Sequence, residues 1–120
     1  MIRGVGAIDD YLAGLDEGRA AFLRPYFEHA RSRLPGAEEV LSYRLPTLRQ
    51  GGKDVVAFAA TRDGYSVYPF SGDVLPRVVT EADGFDGTKS SLHFTRAHPL
   101  PIALLDRILD ARLAQLAAAP

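Results

Sequence analysis

The stretch "GFDGTKSSLHF", residues 84–94, sets glycines, hydroxyls and one ammonium within a few positions of each other. That mixture could bind phosphate. A Walker-type loop places its lysine directly after the second glycine and then enters a helix, whose N-terminal amides and dipole hold the anion. Here Thr88 separates Gly87 from Lys89, and a strand-like sequence follows instead of a helix. The P-loop reading therefore fails. Two readings remain: a tight turn permitted by Gly84 and Gly87 with Lys89 in solvent, or a looser anion nest helped by Lys89.

Other residue types narrow the chemistry further. His29, His93 and His98 show no metal-ligand spacing. His93 alternates with Leu92 and Phe94, so it points away from their face. Asp9, Asp10, Asp16 and Glu17 lie close enough in sequence to hold a hard cation weakly through oxygen ligands, or to serve only as helix N-terminal charge. Triads assemble in space, so a Ser/His/Asp arrangement stays open. No G-x-S-x-G elbow occurs, however, and no acid, base or nucleophile stands out, which leans away from an enzyme. Tyr43, Phe58, Tyr68 and Phe70 fall on expected strands. Two of them, Tyr43 and Tyr68, together with Thr88, Lys89, Ser90 and His93, could line a small pocket for an anionic ligand paired to Lys89.

Composition sets the outer limits. The chain has 120 residues, which fits one domain. It has no cysteine, so no disulfide, thiolate zinc site or cysteine nucleophile. That suits a reducing cytoplasm. The formal charge is −1 and the arginines are scattered, so no nucleic-acid partner is expected. The opening "MIRGVGAIDDYLAGL" is a poor signal peptide, and no apolar run approaches a membrane span. The expectation is a soluble cytoplasmic protein.

The elements that must position these residues follow from periodicity. Ile8, Leu12 and Leu15 predict a short first helix. Asp16 suits the N-cap of a longer one reaching about Leu34, with Leu23, Tyr26, Phe27, Ala30 and Leu34 as its apolar stripe. Pro25 interrupts that stripe and predicts a kink or break. "EEVLSYRL" reads as a strand before Pro46. "VVAFAATR" follows the Gly51-Gly52 turn, and Asp63-Gly64 marks a hairpin into "YSVYPF". "VLPRVV" reads as a short helix and "SSLHFTR" as the last strand. A final helix starts near Pro101, with Ile102, Leu105, Leu109, Leu113 and Leu116 on one face and a fraying Ala-rich end. Helices, then strands joined by tight turns, then a helix predict an α+β domain over residues 8–116. Its sheet is mostly antiparallel, of about five strands, with the N- and C-terminal helices on one face.

Several of these pieces occur in an order that resembles the YdhG-like family of small bacterial proteins, a domain of unknown function. They are Ser42-Tyr43 followed by Pro46-Thr47, then Tyr68-Pro69, then Gly87-Thr88-Lys89 leading into Phe94. The resemblance spans about Ile8 to Leu116. It implies a curved antiparallel sheet covered by helices, similar in layout to frataxin. One branch of the family is described as a frataxin-like iron chaperone. In this chain the oxygen ligands for weakly bound iron would be Asp9, Asp10, Asp16 and Glu17. The family loop typically reads Gly-Thr-Lys-Gly before a strand ending Phe-Pro; this chain has Ser90 and Thr95 at those places. The leading functional expectation is a non-enzymatic binding module, with iron as one cargo. The alternatives are a small-molecule or anion site at the GTKS turn, and a protein-interaction domain or homodimer formed through a strand edge.

Overall fold

The structure is a computed structural model that describes residues 6–80 and 83–118. Two helices come first, α1 (Ala7–Ala13) and α2 (Glu17–Arg33). Four strands follow: β1 (Glu38–Ser42), β2 (Leu45–Gln50), β3 (Lys53–Ala60) and β4 (Tyr65–Tyr68). A one-turn helix α3 (Val74–Val78) leads to β5 (Asp86–Gly87), β6 (Leu92–Phe94) and the long helix α4 (Ile102–Ala118). The strands form one antiparallel sheet in the order β1-β2-β3-β4-β6-β5. The fold is therefore α+β, with six strands where five were expected. Two strands add to the four segments read from the sequence: β2, which follows a turn at Tyr43-Arg44, and β5, whose two residues carry no apolar alternation to signal it.

Alternation along the strands sorts the sheet into two faces. Phe58 packs edge-on against Phe27 at 5.0 Å and lies 5.8 Å from Tyr26, so its face meets α2. Tyr26 donates its hydroxyl to the Leu100 carbonyl at 2.9 Å, just before α4. His29 and Arg33 reach Asp106 at 2.7 and 2.9 Å, which sets α4 beside α2. Tyr11 of α1 accepts the Ala60 amide on the same side. Burying a phenylalanine such as Phe58 contributes about 2–3 kcal/mol, so this aromatic seam is a main tie between the layers.

A bulge refines the sorting. Register passes from Leu48 opposite Val56 to Arg49 opposite Asp54, leaving Val55 as an extra residue. Val55 and Val56 are both fully buried, and the slip turns Asp54 to the face away from the helices with Arg49 and Ser42.

Some sequence-based expectations need correction. Of the kink or break expected at Pro25, the break does not occur: α2 is continuous from Glu17 to Arg33. Proline deletes a bond to the carbonyl one turn back, but Ala21 and Pro25 are both exposed, so water can satisfy that carbonyl. The buried stripe Leu23, Tyr26, Phe27 and Ala30 holds the helix down on the other side. Tyr43 is not on a strand. It and Arg44 form a two-residue hairpin turn with φ of 53° and 67°, a conformation usually marked by Gly or Asn. Phe70 also lies past the end of β4 and takes a positive φ of 57°. On α4 the buried residues are Leu104, Leu105, Ile108 and Leu109, while Ile102 is 43% exposed. The expected fraying end reaches Ala119 and Pro120, outside the described residues. No helix among the described residues is long and apolar enough to cross a membrane.

Candidate functional site

The GFDGTKSSLHF stretch is a hairpin, β5 to β6, closed by residues 88–91. Thr88 organises the turn. Its amide donates to the Ser91 carbonyl at 2.8 Å, and its hydroxyl accepts the amides of Ser90 and Ser91, both at 3.1 Å. The same hydroxyl lies 3.0 Å from the Ser91 hydroxyl. The amides of Thr88, Ser90 and Ser91, which an anion nest would draw on, are thus already used within the turn. Gly87 is required here. Its φ is 155°, and a Cβ would lie 2.1 Å from the Ser91 carbonyl oxygen.

Lys89 sits exposed at the tip and makes no ion pair among the described residues. Between this hairpin and α3 lies a cleft of 240 Å³. Leu75, Val79, Phe85 and Leu92 give it apolar walls, and Thr88, Lys89, Ser91 and Asp86 supply polar groups. An anion there would be held by the Lys89 ammonium over an apolar surface, not by a cage of amides.

The six residues proposed for a pocket divide. Thr88 and Lys89 line the cleft, and Ser90 is exposed beside them. His93 is exposed on β6 and lines a neighbouring 390 Å³ cleft at the β3–β4 turn. Tyr68 stands on β4 opposite Ala57, outside both clefts. Tyr43 is 85% exposed at the far hairpin, stacked on Phe70 with ring centres 6.4 Å apart.

One cross-strand row has the composition of a hydrolase triad. Ser66, His93 and Asp86 lie opposite one another on β4, β6 and β5, and the Ser66 hydroxyl bonds His93 Nδ1. Ser66 is fully buried, however, so its oxygen cannot reach a substrate.

The four acids proposed for a metal are spread out. Asp16 is the N-cap of α2 and accepts the Arg19 amide at 2.9 Å. Asp9 lies 3.9 Å from Arg24. Asp10 and Glu17 are exposed on α1 and α2. Among the described residues no group of three or more His, Cys, Asp or Glu is placed to hold a metal ion.

Sequence reasoning missed Arg19 and Arg96. They come from α2 and the loop after β6, and meet at Tyr65. Nothing in their spacing announces this, because the encounter depends on how α2 lies on the sheet.

No known family model matches the chain, and no curated protein matches it. Among solved structures, the crystal structure of YdhG from Bacillus subtilis, a protein of the DUF1801 family, superposes with a TM-score of 0.81. The match covers 94% of this chain and 93% of that one at 17% identity. This chain has the YdhG fold. At that identity the likeness speaks for architecture, in agreement with the motif order from Ser42 to Phe94. In the YdhG fold as this chain builds it, the motif residues serve structural roles. Ser42 donates to Asp54, Tyr43 forms a turn, Thr47 is buried opposite Ala57, and Thr88 ties the last hairpin.

Proposed function

We propose that the chain is a non-enzymatic binding module whose ligand is a small amphipathic anion held between α3 and the β5–β6 hairpin. One observation carries this reading: Lys89, free of ion pairs among the described residues, stands at a cleft walled by Leu75, Val79, Phe85 and Leu92. A cleft with apolar walls and a few placed polar groups, here Lys89 with Thr88, Ser91 and Asp86, is the usual form of a small-molecule site. Iron carriage, implied by the family resemblance, has less support from Asp9, Asp10, Asp16 and Glu17, since one caps a helix and another faces an arginine.

The test is an amide-resolved NMR titration with hexanoate, with hexylamine as the charge-reversed control. Hexanoate should move the signals of Leu75, Phe85, Thr88 and Lys89, and Lys89→Ala should weaken it several-fold. Equal response to both probes, or none, would refute the site. A thermal shift with anaerobic ferrous iron that disappears when the four acids become amides would instead favour the chaperone reading.

A further inference from the structure

At the opposite end of β6 from the GTKS turn, a cleft of 540 Å³ is lined by Asp16, Arg19, Asp63, Gly64, Tyr65, Thr95, Arg96 and Ala97. Two guanidiniums meet there on one pair of aromatic rings. Phe22 and Tyr65 lie 4.5 Å apart. The guanidinium carbon of Arg19 is 5.4 Å from the Tyr65 ring centre, and that of Arg96 is 5.9 Å from the Phe22 ring centre. Cation–π contact of this kind holds the guanidinium in place without consuming its donors.

Hydrogen bonds fix each arginine from behind. Arg19 donates Nη2 to the Thr61 carbonyl at 2.7 Å, and a longer contact of 3.4 Å runs to the Gly64 carbonyl. Arg96 donates Nε to the Tyr65 hydroxyl at 3.2 Å. Gly18 makes room for it, since a Cβ there would be 3.0 Å from Arg96 Nη2. Neither arginine makes an ion pair among the described residues, although Asp16 and Asp63 line the same cleft. The Asp16 carboxylate is turned to the start of α2, where it accepts the Arg19 amide. Two cations are therefore pre-positioned beside carboxylates with which they do not pair, and their remaining N–H groups find no acceptor among the described residues.

From this geometry we infer a second binding site, an arginine clamp for an oxyanion with at least two terminal oxygens, as in a phosphate monoester or a carboxylate. Forked donors suit such groups because they bind two oxygens at once. The site is independent of the Lys89 cleft.

Amide-resolved NMR titration of the full chain with phenyl phosphate and, separately, benzoate tests it, against sodium chloride at equal ionic strength. Saturable shifts should centre on Arg19, Gly64, Thr95, Arg96 and Ala97. Arg19→Gln with Arg96→Gln should weaken binding at least about tenfold. If that pair fails to fold, Arg19→Lys with Arg96→Lys replaces it, keeping charge but losing the fork; it should still weaken binding. Tighter phenyl phosphate would identify the phosphate ester as ligand class, and tighter benzoate the carboxylate. The inference is overturned by absence of saturation with both probes at concentrations on the order of 10 mM. Shifts centred on Lys89, or binding unchanged in the substituted pair, would overturn it equally.

Discussion

Asp54 joins four elements through one residue. Its carboxylate accepts the Ser42 hydroxyl at 2.5 Å and Arg49 Nε at 2.8 Å, while its carbonyl accepts Arg112 of α4 at 2.9 and 3.2 Å. Burial pushes the carboxyl upward, but the bonds from Ser42 and Arg49 outweigh it and hold the pKa below the ordinary 3.8. Asp54→Asn keeps the shape and removes the charge, so it should cost about 1–3 kcal/mol in urea unfolding at neutral pH. An unchanged midpoint would show that the network adds nothing. At this scale the sequence was legible only where local chemistry is self-contained. Asp16 as a cap, and Gly87 as a glycine that permits a turn, could be read directly. The Asp54 node could not, because it depends on the bulge at Val55, and neither could the meeting of Arg19 and Arg96 on Tyr65.

Elements were easier to read than residues wherever the pattern was long. Both long helices, the Asp63-Gly64 hairpin and the outward-facing His93 follow from periodicity and turn chemistry. The β1–β2 hairpin escaped because Tyr43-Arg44 adopts left-handed backbone without glycine or asparagine, and β5 is too short for alternation. That Pro25 does not break α2 has a different reason: tertiary burial of one helix face outweighs a local penalty. That penalty should still be present. An interior proline costs about 3 kcal/mol relative to alanine, offset in part by the stiffer unfolded chain. Pro25→Ala should therefore stabilise the protein by about 2 kcal/mol, seen as a higher urea midpoint with an unchanged slope. A loss of stability would mean that Pro25 sets a helix bend that the packing on Phe58 needs.

At the scale of the molecule, order alone predicted helices, strands, helix and hence one helical layer on an antiparallel sheet. The thin dimension of 23 Å agrees with two layers. Which clefts such a fold leaves open was not predictable: the Lys89 cleft depends on how α3 lies against the β5–β6 hairpin, and the Arg19–Arg96 cleft joins segments far apart in the chain. Its response to acid follows from carboxylates that join those segments. Hydrogen bonds from His29 and Arg33 outweigh burial at Asp106, the link between α2 and α4, and lower its pKa. Asp83 is lowered by the Thr80 amide and by Arg107, and Asp54 by Ser42 and Arg49. A carboxyl lowered on folding binds its proton more readily in the unfolded chain. Its stabilisation is thus complete above the unfolded value near 3.8 and is lost as pH falls through the lower folded value. The melting temperature should be nearly level above about pH 5 and fall steeply below about pH 4. Asp106→Asn should melt lower than the parent at neutral pH and converge on it in acid. Parallel curves would locate the acid sensitivity elsewhere and leave α4 held by its buried Leu104, Leu105 and Ile108 instead of by this ion cluster.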